Sequence, residues 1–141
     1  MSQSNTRVGD FRVLAGEALT GMEGRLVKMG HDTGVAEVTL PGANSDHVPY
    51  VVIEGAADAK LVTVRPMQPD RNVRVVLKGT CNPGDVVVLA DVATAADKGK
   101  VRVLPTAAGT YRGLGIAEQA GVDWHLVLVR PMAIGNVTVS E

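Results

Sequence analysis

One seven-residue segment occurs twice in the chain, and this repetition constrains the fold more than any other feature of the sequence. Residues 61–67 read LVTVRPM and residues 126–132 read LVLVRPM, so six of the seven positions are identical. Upstream, like residues recur at a spacing that drifts from 63 to 65 residues, which two single-residue insertions explain. The sequence therefore predicts an internal repeat that pairs residues 11–67 with residues 74–132. The upstream pairs are Gly16 with Gly79, Gly21 with Gly84, Leu26 with Leu89, and Leu40–Pro41 with Leu104–Pro105.

Each copy consists of short apolar segments separated by Gly, Pro, Asn or Asp, a pattern typical of strands joined by turns. Valine occurs 24 times and aromatic residues only four times, and β-branched side chains favour sheet over helix. We therefore predict an all-β fold, a compact β-barrel body made of two tandem related β units, with a helical turn near residues 56–59 or 93–97. The predicted strands cover residues 11–14, 25–29, 35–40, 48–54, 61–64, 73–78, 85–90, 101–104, 113–117 and 125–129.

The ends of the copies and of the chain carry separate signals. The Arg-Pro step that closes both copies predicts the end of a strand, because proline has no N–H and cannot continue a central strand. After it, the alternation Val-Thr-Val-Ser at residues 137–140 predicts an edge strand or a strand donated to a neighbouring chain. Residues 1–10 are polar and lie outside the repeat, so we expect an extended N-terminal arm ahead of a β domain covering residues 11–141.

Charge and cysteine content argue against several classes of function. With 14 basic and 15 acidic residues the formal charge is −1, which lacks the positive excess of a nucleic-acid-binding protein. The single cysteine, Cys81, permits no intramolecular disulfide and no thiolate-rich metal site. No apolar segment approaches the roughly 20 residues that span a bilayer. We expect a soluble protein made in the cytoplasm, with no membrane and no nucleic-acid partner.

Few residues are candidates for chemistry. His31, His47 and His125 have no metal-site spacing, and Cys81 lies on a predicted turn with no basic neighbour to lower its pKa. The repeated Arg65 and Arg130 could recognise a carboxylate or phosphate, or they could be architectural strand ends or subunit contacts. We therefore expect no catalytic site, no cofactor and no metal, and conclude that the chain is not an enzyme.

One class of enzyme has a similar size and an all-β, trimeric character. Residues 121–124, Gly-Val-Asp-Trp, match a fragment of the Gly-x-x-Asp-x-Asp-Tyr-Arg-Gly motif of the dUTP pyrophosphatases. The second aspartate, the tyrosine and the other motifs of that family are missing from the sequence, and a function needs its site as well as its fold. A ligand-binding or hydrolytic trimer of this type remains the alternative from a different class.

Four segments give the chain its resemblance to a known family. They are residues 15–19 (Ala-Gly-Glu-Ala-Leu), the turn at residues 79–85 leading into residues 86–89, residues 113–117 (Gly-Leu-Gly-Ile-Ala) and residues 126–129. In these segments the chain resembles the capsid decoration, or cement, proteins of tailed bacteriophages. The resemblance implies a β-tulip-like body that forms homotrimers on the outer capsid surface of the virion and stabilises the shell.

The same resemblance implies a partner and a site. The N-terminal arm of this family grips the major capsid protein, and the expected contacts here are Ser2, Gln3, Ser4, Asn5, Thr6, Arg7, Val8 and Gly9. Arg7 is the only charged side chain of the arm before Asp10, which makes it the expected electrostatic contact. Another virion component, such as a head-fibre base or a tail subunit, is the alternative among structural proteins.

Overall fold

The computed structural model describes residues 9–140, and the prediction of an all-β fold is confirmed. Within these residues the regular structure is ten strands and one single-turn 3₁₀ helix, Ala95–Asp97. The strands are β1 (Phe11–Ala15), β2 (Leu26–Asp32), β3 (Val35–Thr39), β4 (Tyr50–Glu54), β5 (Leu61–Pro66), β6 (Val73–Val76), β7 (Val86–Leu89), β8 (Val101–Val103), β9 (Gly109–Ala117) and β10 (Leu126–Val139). None of the helical structure among residues 9–140 has the length and apolar character needed to cross a membrane.

The strands form two sheets that follow one another along the chain. Strands β1 to β5, here called unit 1, close into a barrel in the order β1-β3-β2-β4-β5, with β1 parallel to β3 and the other neighbours antiparallel. Strands β6 to β10, unit 2, form a five-stranded sheet in the order β6-β10-β9-β7-β8. A parallel bridge between Leu77 and Val101 joins the end of β6 to β8. It lies at the place in unit 2 that corresponds to the parallel pairing of β1 with β3, which closes the barrel of unit 1.

The two units share one strand order and one set of pairing directions when β1 to β5 are matched to β6 to β10. The hydrogen bonds correspond as well. The N–H of Gly24 donates to Val52 O, and the N–H of Gly84 donates to Ala117 O, both at 2.8 Å. These bonds match Gly84 to Gly24 rather than to Gly21, the partner suggested by the sequence. The correspondence supports the internal repeat, which stays a prediction.

Each unit has its own apolar core, and the core of unit 2 extends into unit 1 across the contact between the two units, here called the junction. The core of unit 1 is lined by Val13, Ala15, Leu19, Val27, Val38, Leu40, Val52, Val62 and Val64. The core of unit 2 includes three side chains from unit 1, namely Leu26, Val48 and Val51. The N–H of Leu26 also donates to Gly99 O at 2.8 Å, so backbone hydrogen bonding crosses the junction with the shared apolar surface.

Two glycines allow the units to approach this closely. Gly99 has φ +82°, and a Cβ on it would lie 2.7 Å from Leu26 O. Gly24 has φ +84°, and a Cβ on it would overlap the side chain of Leu126. Any other residue at either position would combine an unfavourable backbone conformation with a steric clash across the junction.

Strand β10 corrects the interpretation of the second Arg-Pro step. In unit 1, β5 ends at Pro66 as the sequence predicts, but β10 continues past Pro131 to Val139. Among residues 9–140, β6 pairs with residues 126–129 of β10, and β9 is the only strand alongside Pro131. A missing N–H is tolerated on such an edge. Residues 135–139 pair with residues 109–113 of β9, which makes them an edge strand paired within the chain.

Candidate interaction surfaces

The predicted arm joins unit 1 next to an ion pair. Of the predicted capsid contacts, Ser2, Gln3, Ser4, Asn5, Thr6, Arg7 and Val8 lie outside the described residues, and Gly9 has φ +80°. Next to it, the carboxylate of Asp10 accepts two hydrogen bonds from Arg65, at 2.7 Å from Nε and 3.1 Å from Nη2. The hydrogen bonding of Arg65 holds the pKa of Asp10 below its ordinary value. This ion pair fastens the start of β1 to the end of β5.

Arg130 makes a comparable contact in unit 2. Its guanidinium donates to Glu118 at 3.1 Å and 3.3 Å, and the side chain of Asn72 donates to the same carboxylate at 3.1 Å. Hydrogen bonds from Asn72 and Arg130 lower the pKa of Glu118. Both repeated arginines therefore pair with carboxylates within the chain, Arg65 at the end of β5 and Arg130 inside the longer β10.

The remaining titratable candidates stay apart. Among residues 9–140 no three His, Cys, Asp or Glu side chains are placed to hold a metal ion. Burial raises the pKa of the Cys81 thiol, whose Sγ lies 3.4 Å from Gln119 O, and a raised pKa disfavours the reactive thiolate. In the segment that resembles the dUTP pyrophosphatase motif, Asp123 accepts a hydrogen bond from the N–H of Gly79 at 2.9 Å and so stabilises a turn.

An apolar cleft of about 380 Å³ opens where the pairing of β10 with β9 shifts register between Pro131 and Gly135. Met67 and Met132, which follow the two Arg-Pro steps, both line it, and Arg112 is the cationic side chain among its described lining residues. The guanidinium of Arg112 donates to Ser45 O at 2.9 Å and 3.3 Å, which fixes one wall. The other lining residues are His47, Val48, Pro49, Pro69, Gly113, Leu114, Pro131, Ala133 and Gly135.

A second surface, the tryptophan corner, lies on unit 2 beside the junction. Trp124 is 55% exposed although its backbone has φ +70°, an unfavourable conformation for a bulky residue. The ammonium of Lys100, which is fully buried, lies 3.0 Å from the centre of the indole ring, and the Arg25 guanidinium lies 5.3 Å from it. The carboxylate of Asp97 lies 2.9 Å from the ammonium of Lys100 and 3.5 Å from that of Lys78.

A third surface, the acidic basin, is a polar depression of about 550 Å³ on unit 1. Among the described residues its carboxylates are Asp32, Glu37 and Asp58, and its only basic residue is His31. The other lining residues are Leu14, Ala15, Gly16, Thr33, Val35 and Ala59. The N–H of Gly34 donates to Nδ1 of His31 at 3.0 Å, which fixes the turn between β2 and β3 at one side of the basin.

The tryptophan corner and the acidic basin occupy equivalent places in the two units. Ala59 has φ +64° and donates its N–H to Ala15 O, and Trp124 in the same conformation donates to Leu77 O. Likewise the N–H of Gly16 donates to Val38 O and that of Lys78 to Val101 O, so the residues that precede these acceptors, Glu37 and Lys100, also correspond. Unit 1 therefore carries a carboxylate and an alanine where unit 2 carries a lysine and a tryptophan.

Sequence reasoning missed all three surfaces. It identified the arm and the arginines, because these stand out by position or by repetition. Nothing in the local sequence marks Lys100 as buried, since lysine is almost never fully buried without a partner. For Trp124 the sequence did contain a signal, namely its alignment with Ala59. The spacing of 65 residues that relates residues 61–67 to residues 126–132 also relates Ala59 to Trp124.

No family model matches the chain, and no curated protein matches its sequence. The fold is similar to a solved structure, the crystal structure of the head fiber gp8.5 N base in bacteriophage phi29, with a TM-score of 0.65. The similarity covers 94% of this chain and 97% of that chain, at 17% sequence identity. At such low identity the match establishes a common fold over nearly the full length of both chains.

Proposed function

We propose that the chain is a non-enzymatic structural protein of a phage virion, which sits on the outer capsid surface as the base of a head fibre. The observation that carries this proposal is the shared fold with the head fiber gp8.5 N base of bacteriophage phi29, at a TM-score of 0.65 over 94% of the chain. The resemblance of the sequence to capsid decoration proteins points to the same place in a virion. A decoration role is the second candidate.

The exposed features of the chain are consistent with assembly rather than catalysis. An apolar cleft, an exposed tryptophan and an edge of β10 that no other strand of residues 9–140 pairs with are features by which proteins bind proteins. We propose a homotrimer whose arms, residues 1–10, bind the major capsid protein. Three arms on one body bind far more tightly than one, because the later contacts are effectively intramolecular.

Binding to empty capsids assembled from the matching major capsid protein tests the proposal. The purified full-length chain should sediment with the capsids and saturate, whereas a chain lacking residues 2–8 should remain folded and lose at least tenfold in affinity. Replacement of Arg7 by alanine, with the rest of the arm intact, separates the charged contact from the backbone contacts. Absence of binding by the intact chain would overturn the capsid role, and equal binding by the truncated chain would move the anchor into the body.

Cryo-electron microscopy of the decorated capsids distinguishes the two structural roles. A fibre base occupies discrete sites from which further density projects, whereas a cement protein covers the junctions between capsid subunits across the shell. Turnover of dUTP by the purified protein with magnesium would instead favour the enzymatic alternative.

A further inference from the structure

We propose that copies of this chain associate head to tail, with the tryptophan corner of one copy seated in the acidic basin of the next. The proposal goes beyond the virion role, because it concerns which surfaces of the chain bind each other. It begins from two surfaces of one molecule that differ in charge and in shape.

The tryptophan corner has the properties of an interface anchor. Exposed apolar side chains flank Trp124, with Val122 at 48% and Leu126 at 47% exposure. The indole is held from below by the buried ammonium of Lys100, and its backbone N–H is bonded to Leu77 O. A side chain that is already ordered loses little entropy on binding, and tryptophan is enriched among the residues that dominate binding energy.

Charge complementarity selects the acidic basin as the receptor. The corner gathers Arg25, Lys78 and Lys100 beside two carboxylates, Asp97 and Asp123, so positive charges outnumber negative ones by one. The basin gathers three carboxylates around one histidine. Opposite potentials on two surfaces favour their contact and disfavour corner-to-corner or basin-to-basin pairing.

The space in the basin fits the same conclusion. At the equivalent place in unit 2 the indole of Trp124 covers a lysine, whereas in unit 1 the small side chain of Ala59 leaves that place open above Glu37. An indole brought by a second copy would lie on the apolar Leu14, Ala15 and Val35 of the basin, with the cations of its own corner facing the basin carboxylates.

This contact is heterologous, since two different surfaces meet. Heterologous contacts close into rings when the rotation between copies permits and form open filaments when it does not. A ring of three copies, each offering one corner and one basin, is the homotrimer of the proposed function.

Sedimentation velocity on the full-length chain tests the contact. Trp124→Ala, which places in unit 2 the residue that unit 1 carries at the same backbone conformation, should weaken association at least tenfold. Asp32→Lys, an exposed change beside the β2–β3 turn, should weaken it from the basin side. Ile53→Ala, a partly exposed apolar residue outside both surfaces, is the matched control and should associate as the natural chain does. Unchanged association of Trp124→Ala, or a monomeric natural chain at about 100 µM, overturns the proposal.

Disulfide cross-linking tests the head-to-tail arrangement independently of affinity. Two variants carry one new cysteine each, Val122→Cys on the corner and Asp58→Cys in the basin, with the buried Cys81 replaced by alanine in both. Oxidation of the mixture should give covalent dimers, whereas neither variant alone should. Dimers from Val122→Cys alone would mean a symmetric corner-to-corner contact and would overturn the arrangement.

Discussion

Units 1 and 2 have the same strand order, yet they close and fill their sheets differently. Two parallel residue pairs join β1 to β3, whereas a single bridge, Leu77 with Val101, joins the corresponding strands of unit 2. The rings of Phe11 and Tyr50 meet edge to face at 5.4 Å in unit 1. The pairing registers place Val73 and Gly115 at those positions in unit 2.

One backbone topology therefore tolerates side chains of opposite charge and size at equivalent positions. What the units have in common is hydrogen bonding, turn conformation and the burial of alternate strand residues. Most of their side chains differ, and among these differences are the lysine and tryptophan of unit 2 against the carboxylate and alanine of unit 1. Four experiments, given in order of decreasing effect, test the differences between the two units.

The largest expected effect comes from the ion pair that only unit 2 possesses. Asp97→Asn leaves the fully buried ammonium of Lys100 without its carboxylate, which should lower the free energy of unfolding by about 4 kcal/mol. The double variant Asp97→Asn/Lys100→Met replaces the pair with uncharged groups and should recover most of that loss. Urea unfolding monitored by circular dichroism measures both. A loss under about 1 kcal/mol in the single variant would mean that water reaches Lys100.

The next effect compares the two cores at one equivalent position. The N–H of Leu19 donates to Ala56 O and that of Cys81 to Gly121 O, and both side chains are buried. Leu19→Ala should cost about 3 kcal/mol through lost burial and a residual cavity, whereas Cys81→Ala, which removes only a sulfur atom, should cost about 1 kcal/mol. The same urea titration applies. Equal costs would show that the core of unit 1 relaxes around the cavity.

A smaller effect, of opposite sign, is expected at the shared left-handed turn position. Ala59→Gly removes the strain of a Cβ at φ +64° and should stabilise the chain by about 0.5 kcal/mol after the entropy cost of glycine. Trp124→Gly at the equivalent position should not stabilise, because it also removes the packing on Lys100. Thermal unfolding midpoints compare the two variants, and a gain from Trp124→Gly would show that the contact with Lys100 adds little.

The smallest effect concerns the pair of Asp10 with Arg65 at the end of β5. The pKa of Asp10 lies below its ordinary value of 3.8, so its pair stabilises the fold above that pH and the stabilisation is lost as the pH falls through the lower, folded-state value. Asp10→Asn should therefore reduce the acid dependence of the unfolding midpoint, and added salt should do the same to the natural chain. An identical pH profile for the variant would mean that the pair does not contribute.

Much of the strand content could be predicted from local sequence. Glycine, proline and asparagine mark the turns, and alternating valines mark the strands, so each predicted strand overlaps an observed one. The ends of the strands are harder to predict from local sequence. A proline stops a strand only where both of its edges are paired, and no local feature says that β6 stops pairing at Val129 before Pro131 is reached.

The candidate surfaces depend on contacts that are distant in sequence. Arg25 precedes β2 of unit 1 and Trp124 precedes β10 of unit 2, so they meet only because the two units pack together. Residue identity alone also misaligns part of the repeat. Leu26 pairs with Val51 in unit 1, and Val86 pairs with Ile116 at the equivalent place in unit 2. Val86 is therefore the counterpart of Leu26, although Leu89 is the residue of the same type.

The core shared across the junction has a consequence for the order in which the protein forms during synthesis. All five strands of unit 1 precede those of unit 2 in the chain, so they are synthesised before the last strand of unit 2 exists. Until then Leu26, Val48 and Val51 lack the unit 2 side chains that cover them in the folded protein. Apolar side chains that wait in this way for their partners are a transient aggregation hazard during synthesis.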